Sequence, residues 1–157
     1  MLGVNILCVG KIKEKYLTDG IAEYAKRLSK MCKLSVIEVS EELSRGESAA
    51  EIDEVKRREG ERLISKIKGY AIALAIDGEP LGSVELAQRI DALSTRGVSE
   101  VTFIIGGSNG LHAQVMKRAD MKLSFGAMTY PHQLMRLILA EQIYRAFMIN
   151  GGKTYHK

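Results

Sequence analysis

The chain has 157 residues, 46% of them hydrophobic and 27% charged, with 23 lysines and arginines against 19 acids. A chain of this length buries roughly two-thirds of its unfolded surface, so it needs no disulfides, and its composition excludes fibrous, low-complexity and solenoid architectures. The formal charge of +4 tilts the field toward polyanionic partners, although a generic solvated surface accounts for it equally well on charge alone.

One domain spanning 1–157 is expected. The opening "MLGVNILCVG" is apolar but lacks the basic leader and small-residue cleavage site of a signal peptide, and no stretch reaches the length of a membrane span. Cys8 and Cys32 lack the paired spacing of a zinc site or a redox motif. They read as reduced structural thiols of a cytoplasmic protein.

The first predicted strand is "VNILCVG", 4–10. Leu17, Ile21, Tyr24, Leu28 and Met31 then recur at spacings of three and four, which puts them on one face of a first helix. A second strand follows at 34–39. The polar stretch 40–51 is a loop or frayed helix start with no assignable chemistry, and 51–68 is a highly charged second helix. A third strand occupies 71–77. Ser83, with Glu85 in the next turn, predicts the N-cap of a third helix running to about Arg96. A fourth strand at 101–106 and a fourth helix at 110–118 come next. A short strand at 122–125 leads to a fifth helix with Pro131 in its first turn, ending near Ile149. Strand and helix alternate throughout, and the strands are continuously apolar. The class is therefore α/β, a mainly parallel sheet with helices on both faces.

Apolar residues surround the last helix, and its polar residues gather in two nearly opposite clusters. His132, Gln133 and Arg136 form one; Glu141, Gln142 and Arg145 form the other. A helix apolar on both intervening flanks must be covered twice, which points to a partner subunit as the second cover. The alternative is a central core helix of a monomer.

The terminal "GGKT" is not a phosphate loop, because Phe147 stands at the first glycine position and a helix precedes it. "GGSNGLH", Gly106 to His112, is not the dinucleotide fingerprint either, but it follows a strand end, where open α/β sheets bind ligands. Three such ends, "LAIDGEP", "IIGGSNG" and "SFGAMTYPH", are small, glycine-bearing or apolar. If they converge, backbone and apolar side chains wall the pocket, with Asp77 its one acid and no lysine or arginine for a phosphate. A neutral purine nucleoside suits it better than a nucleotide; S-adenosylmethionine is such a ligand. His132 with Arg136, and Glu141 with Arg145, stand four apart and read first as structural helical pairs. Gly151 and Gly152 form a hinge that would let Tyr155 and His156 fold onto a neighbouring surface, whereas composition alone reads the tail as frayed chain.

Taken together and in this order, "VNILCVGKIKEKY", "IIGGSNGLH", "LSFGAMTYPHQLMR", "AEQIYRAF" and the terminal "YHK" resemble the bacterial ribosomal RNA large-subunit methyltransferase H (RlmH) family, a minimal branch of the SPOUT methyltransferases. The resemblance covers essentially the whole chain. It implies a C-terminal trefoil knot, a homodimer, and methylation of N3 of a pseudouridine in helix 69 of 23S rRNA on the assembled ribosome. It also implies S-adenosylmethionine contacts at Leu74, Gly106, Phe125, Gly126, Ala127, Met128, Thr129 and Tyr130.

The chemistry then needs a proton acceptor for N3–H and a stabiliser of the charge spreading to the flanking carbonyls. His132 or His156 are the candidate acceptors and Arg145 the candidate stabiliser. By the resemblance, Tyr155 and His156 would complete the site from the partner subunit. With no separate RNA-binding domain, the substrate would rest on a basic surface: Lys11, Lys13 and Lys15, and the run Lys56, Arg57, Arg58. The last also reads as a solvated helix face, because Asp53 and Glu54 lie four residues before Arg57 and Arg58. Two other functions compete. A non-catalytic ribosome-binding module would use the same surface without a methyl donor, and a nicotinamide oxidoreductase is disfavoured by the missing fingerprint.

Overall fold

The computed structural model describes residues 1–157. Its elements run β1 (Gly3–Val9), α1 (Lys15–Leu28), β2 (Lys33–Val39), α2 (Ala49–Ile64), β3 (Tyr70–Glu79), α3 (Ser83–Thr95), β4 (Glu100–Ile105), α4 (Ala113–Arg118), β5 (Met121–Leu123) and α5 (His132–Asn150). The expected alternation is present, and all five strands pair in parallel in the order β2-β1-β4-β3-β5.

A parallel sheet must be covered on both faces, and β1 shows how the sequence meets that demand. Val4, Ile6 and Cys8 join one core with Ile72, Phe103, Ile105, Leu139 and Ile143, beneath α1, α3 and α5. Leu7 and Val9, pointing the other way, join Ala71, Ile104, Leu63 and Val115 beneath α2 and α4. Alternate residues thus enter different cores, so the strand reads as an unbroken apolar run. Fully burying each large side chain contributes about 1.5–3 kcal/mol. Cys8 and Cys32 are free and buried, and burial pushes both thiols up to about 11, which makes them inert structural groups.

Helix starts differ from expectation where side chains compete for backbone groups. Helix α2 starts at Ala49, two residues before the expected 51, because Ser48 caps it by accepting the Glu51 N–H at 3.2 Å. Ser83 does not cap α3: Gly82 holds that position in extended backbone. The Ser83 hydroxyl instead donates to Gln142 Oε1 of α5 at 2.7 Å.

Helix α5 packs against both α1 and α3. Its inward residues Leu139, Ala140 and Ile143 are fully buried, while Leu134, Leu137 and Ile138 remain half-buried in a groove shared with Gly20 and Tyr24 of α1. The chain's own helices therefore account for much of the second cover expected of a partner. Lys13 bonds to Gln133, Gly20 abuts Leu137 and Tyr24 reaches Glu141, so α1 and α5 run side by side in the same direction. No helix is long and apolar enough to cross a membrane.

Candidate functional site

The carboxyl ends of β3, β4 and β5 meet around one open-mouthed cavity of about 200 Å³, at the strand ends where open α/β sheets take their ligands. Leu74, Gly106, Phe125, Gly126, Met128, Thr129 and Tyr130 line it, joined by His132 and Met135 from the start of α5. Ala127 lies in the same loop but not on the wall. Asp77 is exposed and off the wall, so the single acid expected inside the pocket is absent. As expected, neither lysine nor arginine lines it. The wall therefore suits a neutral nucleoside and offers no counter-charge to a phosphate.

Two glycines shape this cradle. A Cβ on Gly106 would lie 2.7 Å from the Gly110 carbonyl carbon, so the "GGSNG" turn closes only over glycine. Gly126 adopts φ +102°, in the region that favours glycine, and donates its N–H to Ser124 Oγ at 3.1 Å. Ser124 donates in turn to the Ile76 carbonyl at 2.8 Å, and its N–H reaches the Glu79 carbonyl at 2.9 Å. These bonds pin the loop after β5 to the far end of β3.

Beside the pocket stands Arg136, fully buried. It pairs with Glu38 at 2.7 Å and donates to the Val9 and Gly10 carbonyls at 2.7 and 2.8 Å. The expected pairing with His132 gives way to this one. Burial first, and the Arg136 charge second, push the His132 pKa below its ordinary value, so the ring is neutral near pH 7. The third histidine, His112, caps α4 by accepting the Gln114 N–H at 3.2 Å.

Arg145, Tyr155 and His156 form a second group. Thirteen positions separate Arg145 from His132, about 20 Å along a helix, so one chain does not bring its four candidate catalytic residues together. The tail is not frayed. Gly151 closes α5, Gly152 takes φ +66°, and the chain turns back onto its own helix in a glycine C-cap. Tyr155 donates to Glu141 at 2.6 Å, and that bond pushes its phenol up to about 12. Arg145 pairs with Glu141 at 3.0 Å, the helical pair read from the sequence, and its Nη1 lies 3.1 Å from His156 Nδ1.

The two arginines of the basic run on α2 are paired with carboxylates, whereas Lys56 makes no ion pair. Arg57 pairs with Glu54 and Glu61, and Arg58 with Glu54 and Glu42, which is the solvated-face reading. Lys15 pairs with Asp19, whereas Lys11 and Lys13 are exposed. Sequence reasoning missed Glu38, partner of Arg136, and Glu59. Burial raises the Glu59 carboxyl, and it accepts the Glu42 N–H at 3.1 Å. No local signal marks either, since both partners come from distant segments or from the backbone.

Such a pocket at the carboxyl edge of a parallel α/β sheet is the frame of a SPOUT methyltransferase, and the family described as "Predicted SPOUT methyltransferase" matches residues 2–156. Relatives bearing the name ribosomal RNA large subunit methyltransferase H occur in Latilactobacillus sakei, 57% identical, and Ligilactobacillus salivarius, 54% identical, both over 99% of this chain and 100% of the relative. The chain belongs to this ribosomal RNA large subunit methyltransferase H family. Among solved structures, a methyltransferase from Legionella pneumophila in complex with its cofactor SAM is similar in fold. Its TM-score is 0.50 and its identity 9%, over 95% of this chain and 66% of that one.

Proposed function

We propose that residues 1–157 act as one cytoplasmic methyltransferase domain. It would transfer a methyl group from S-adenosylmethionine to N3 of a pseudouridine in helix 69 of 23S rRNA, within the assembled ribosome, as a homodimer with a knotted C-terminal region. The observation that carries the reading is the uncharged pocket walled by Leu74, Gly106 and the 125–130 loop, in a chain of this family. Leu74, Gly106, Phe125, Gly126, Ala127, Met128, Thr129 and Tyr130 would hold the donor, the last six as a continuous wrap. When bound, S-adenosylmethionine supplies an electrophilic methyl on a sulfonium.

The chain's own residues do the rest. His132, neutral beside the pocket, accepts a proton, a task that calls for an acceptor poised near the working pH. Arg145 stabilises the anion that N3 deprotonation spreads to the carbonyls, a contribution often worth about 3 kcal/mol. Tyr155 and His156 bind the base. The span between His132 and Arg145 favours a shared site, in which the tail of one protomer serves the donor pocket of the other. The half-buried Leu134, Leu137 and Ile138 offer an apolar strip for that association.

Mass spectrometry of 23S rRNA from cells lacking the gene tests the reading. One pseudouridine in helix 69 should lose a single methyl and regain it on complementation; an unchanged modification pattern would sink the proposal. A ribosome-binding module without catalysis would give the same null pattern and no heat on calorimetric titration with S-adenosylmethionine.

A further inference from the structure

The tail cluster is organised around Glu141, a residue the family resemblance did not single out. Its Oε1 accepts from Arg145 Nε at 3.0 Å; its Oε2 accepts the phenol of Tyr155 at 2.6 Å and that of Tyr24, on α1, at 3.5 Å. One carboxylate thus gathers a guanidinium and two phenols from three segments. Tyr144 forms the floor, edge-on to Tyr155 with ring centroids 4.8 Å apart and tilted against Tyr24 at 5.8 Å. The Arg145 guanidinium lies 4.7 Å above the Tyr155 ring. Held by a charge-assisted bond at Nε and by this stacking, Arg145 cannot rotate without breaking both.

The consequence falls on His156. Arg145 Nη1 lies 3.1 Å from His156 Nδ1, and a guanidinium has donors only. Nδ1 must therefore present its lone pair, which leaves the proton of the neutral ring on Nε2. In that tautomer both nitrogens are committed: Nδ1 accepts from Arg145, and Nε2–H can only donate.

We propose that Glu141, seated with Tyr24, is the positioning residue that holds Arg145 and so fixes His156 as an Nε2–H donor, which binds a carbonyl oxygen of the base and does not take its proton. This rests on the reading that the tail serves methyl transfer. In the reaction N3 gives its proton to His132 beside the donor pocket, and the N3 electron pair forms the N–CH3 bond. The S–CH3 pair returns to sulfur, leaving a thioether, and His156 keeps its own proton throughout.

Long-range proton–nitrogen NMR of the full-length chain labelled with 15N-histidine reads the tautomer directly, with the His156 signal identified by its loss in His156→Asn. The expected result at neutral pH is an unprotonated Nδ1 and a protonated Nε2. In Glu141→Gln the pattern should shift toward a tautomer mixture. Its kcat for ribosome methylation should fall about tenfold or more, as misplacement of a catalytic group demands, with donor affinity unchanged. An Nδ1–H ring or an imidazolium in the parental chain overturns the inference, and that measurement needs no variant to fold. Unaltered tautomer and kcat in Glu141→Gln overturn it too. Deleting residues 155–157 separates the two layers: parental methylation without them removes the tail reading itself, whereas methylation lost in the deletion, with the wrong His156 tautomer in the parental chain, removes only the assignment made here.

Discussion

Arg136 and Glu38 stand 98 positions apart and form an ion pair of 2.7 Å, with the guanidinium wholly buried and the carboxylate about one-third exposed. The pair ties the first turns of α5 to the carboxyl ends of β1 and β2. Glu38 also accepts the Ile12 N–H at 2.9 Å, while Gln133 holds Lys13 N–H and the Lys11 carbonyl. Arg136→Met should cost about 2 kcal/mol or more, because it strands two buried carbonyls, while Glu38, one-third exposed, keeps the Ile12 N–H and water. Urea unfolding with matched m-values checks this; a loss under about 1 kcal/mol would mean that the clamp is dispensable.

The neutral state of His132 has a definite pH signature. Its folded pKa is lowered by burial and by Arg136, so the native state binds fewer protons than the unfolded one. The corresponding stability is complete above the unfolded value near 6.5 and is lost as pH falls through the folded value. The acid limb of kcat/KM should accordingly lie below the ordinary histidine range and disappear in His132→Asn, leaving a low pH-independent rate. An acid limb at or above the ordinary value would assign proton acceptance elsewhere.

The donor pocket depends on the absence of a side chain at Gly106. Alanine there would push a methyl to 2.7 Å from one backbone atom of Gly110 and 2.9 Å from another, contacts that no rotamer change relieves. Gly106→Ala should lose about 1–3 kcal/mol of stability and weaken S-adenosylmethionine binding in calorimetry. Parental affinity in a folded Gly106→Ala protein would show that the donor sits elsewhere.

Charge placement separates two basic segments that look alike in the sequence. Replacing Lys11 and Lys13 together by Gln should lower the slope of ribosome affinity against salt by roughly 1 to 2, as loss of phosphate contacts demands. Arg57→Gln and Arg58→Gln should leave that slope unchanged, because Glu54, Glu61 and Glu42 already engage those guanidiniums. Equal effects from both sets would place the nucleic acid across α2 as well.

Periodicity alone determined the alternating elements, the parallel sheet and the class, since apolar runs and helical stripes are local properties that survive without knowledge of partners. The glycine-bearing strand ends and the family motifs marked the pocket loops, because tight turns demand particular residues wherever they occur. What packs against what was decided only by the tertiary structure. Asp77 left the pocket, Ser83 gave its hydroxyl to Gln142, Arg136 found Glu38 instead of His132, and the tail folded onto Glu141. Each outcome turns on which groups compete for one buried polar atom, and that competition is settled by segments brought together from far along the chain.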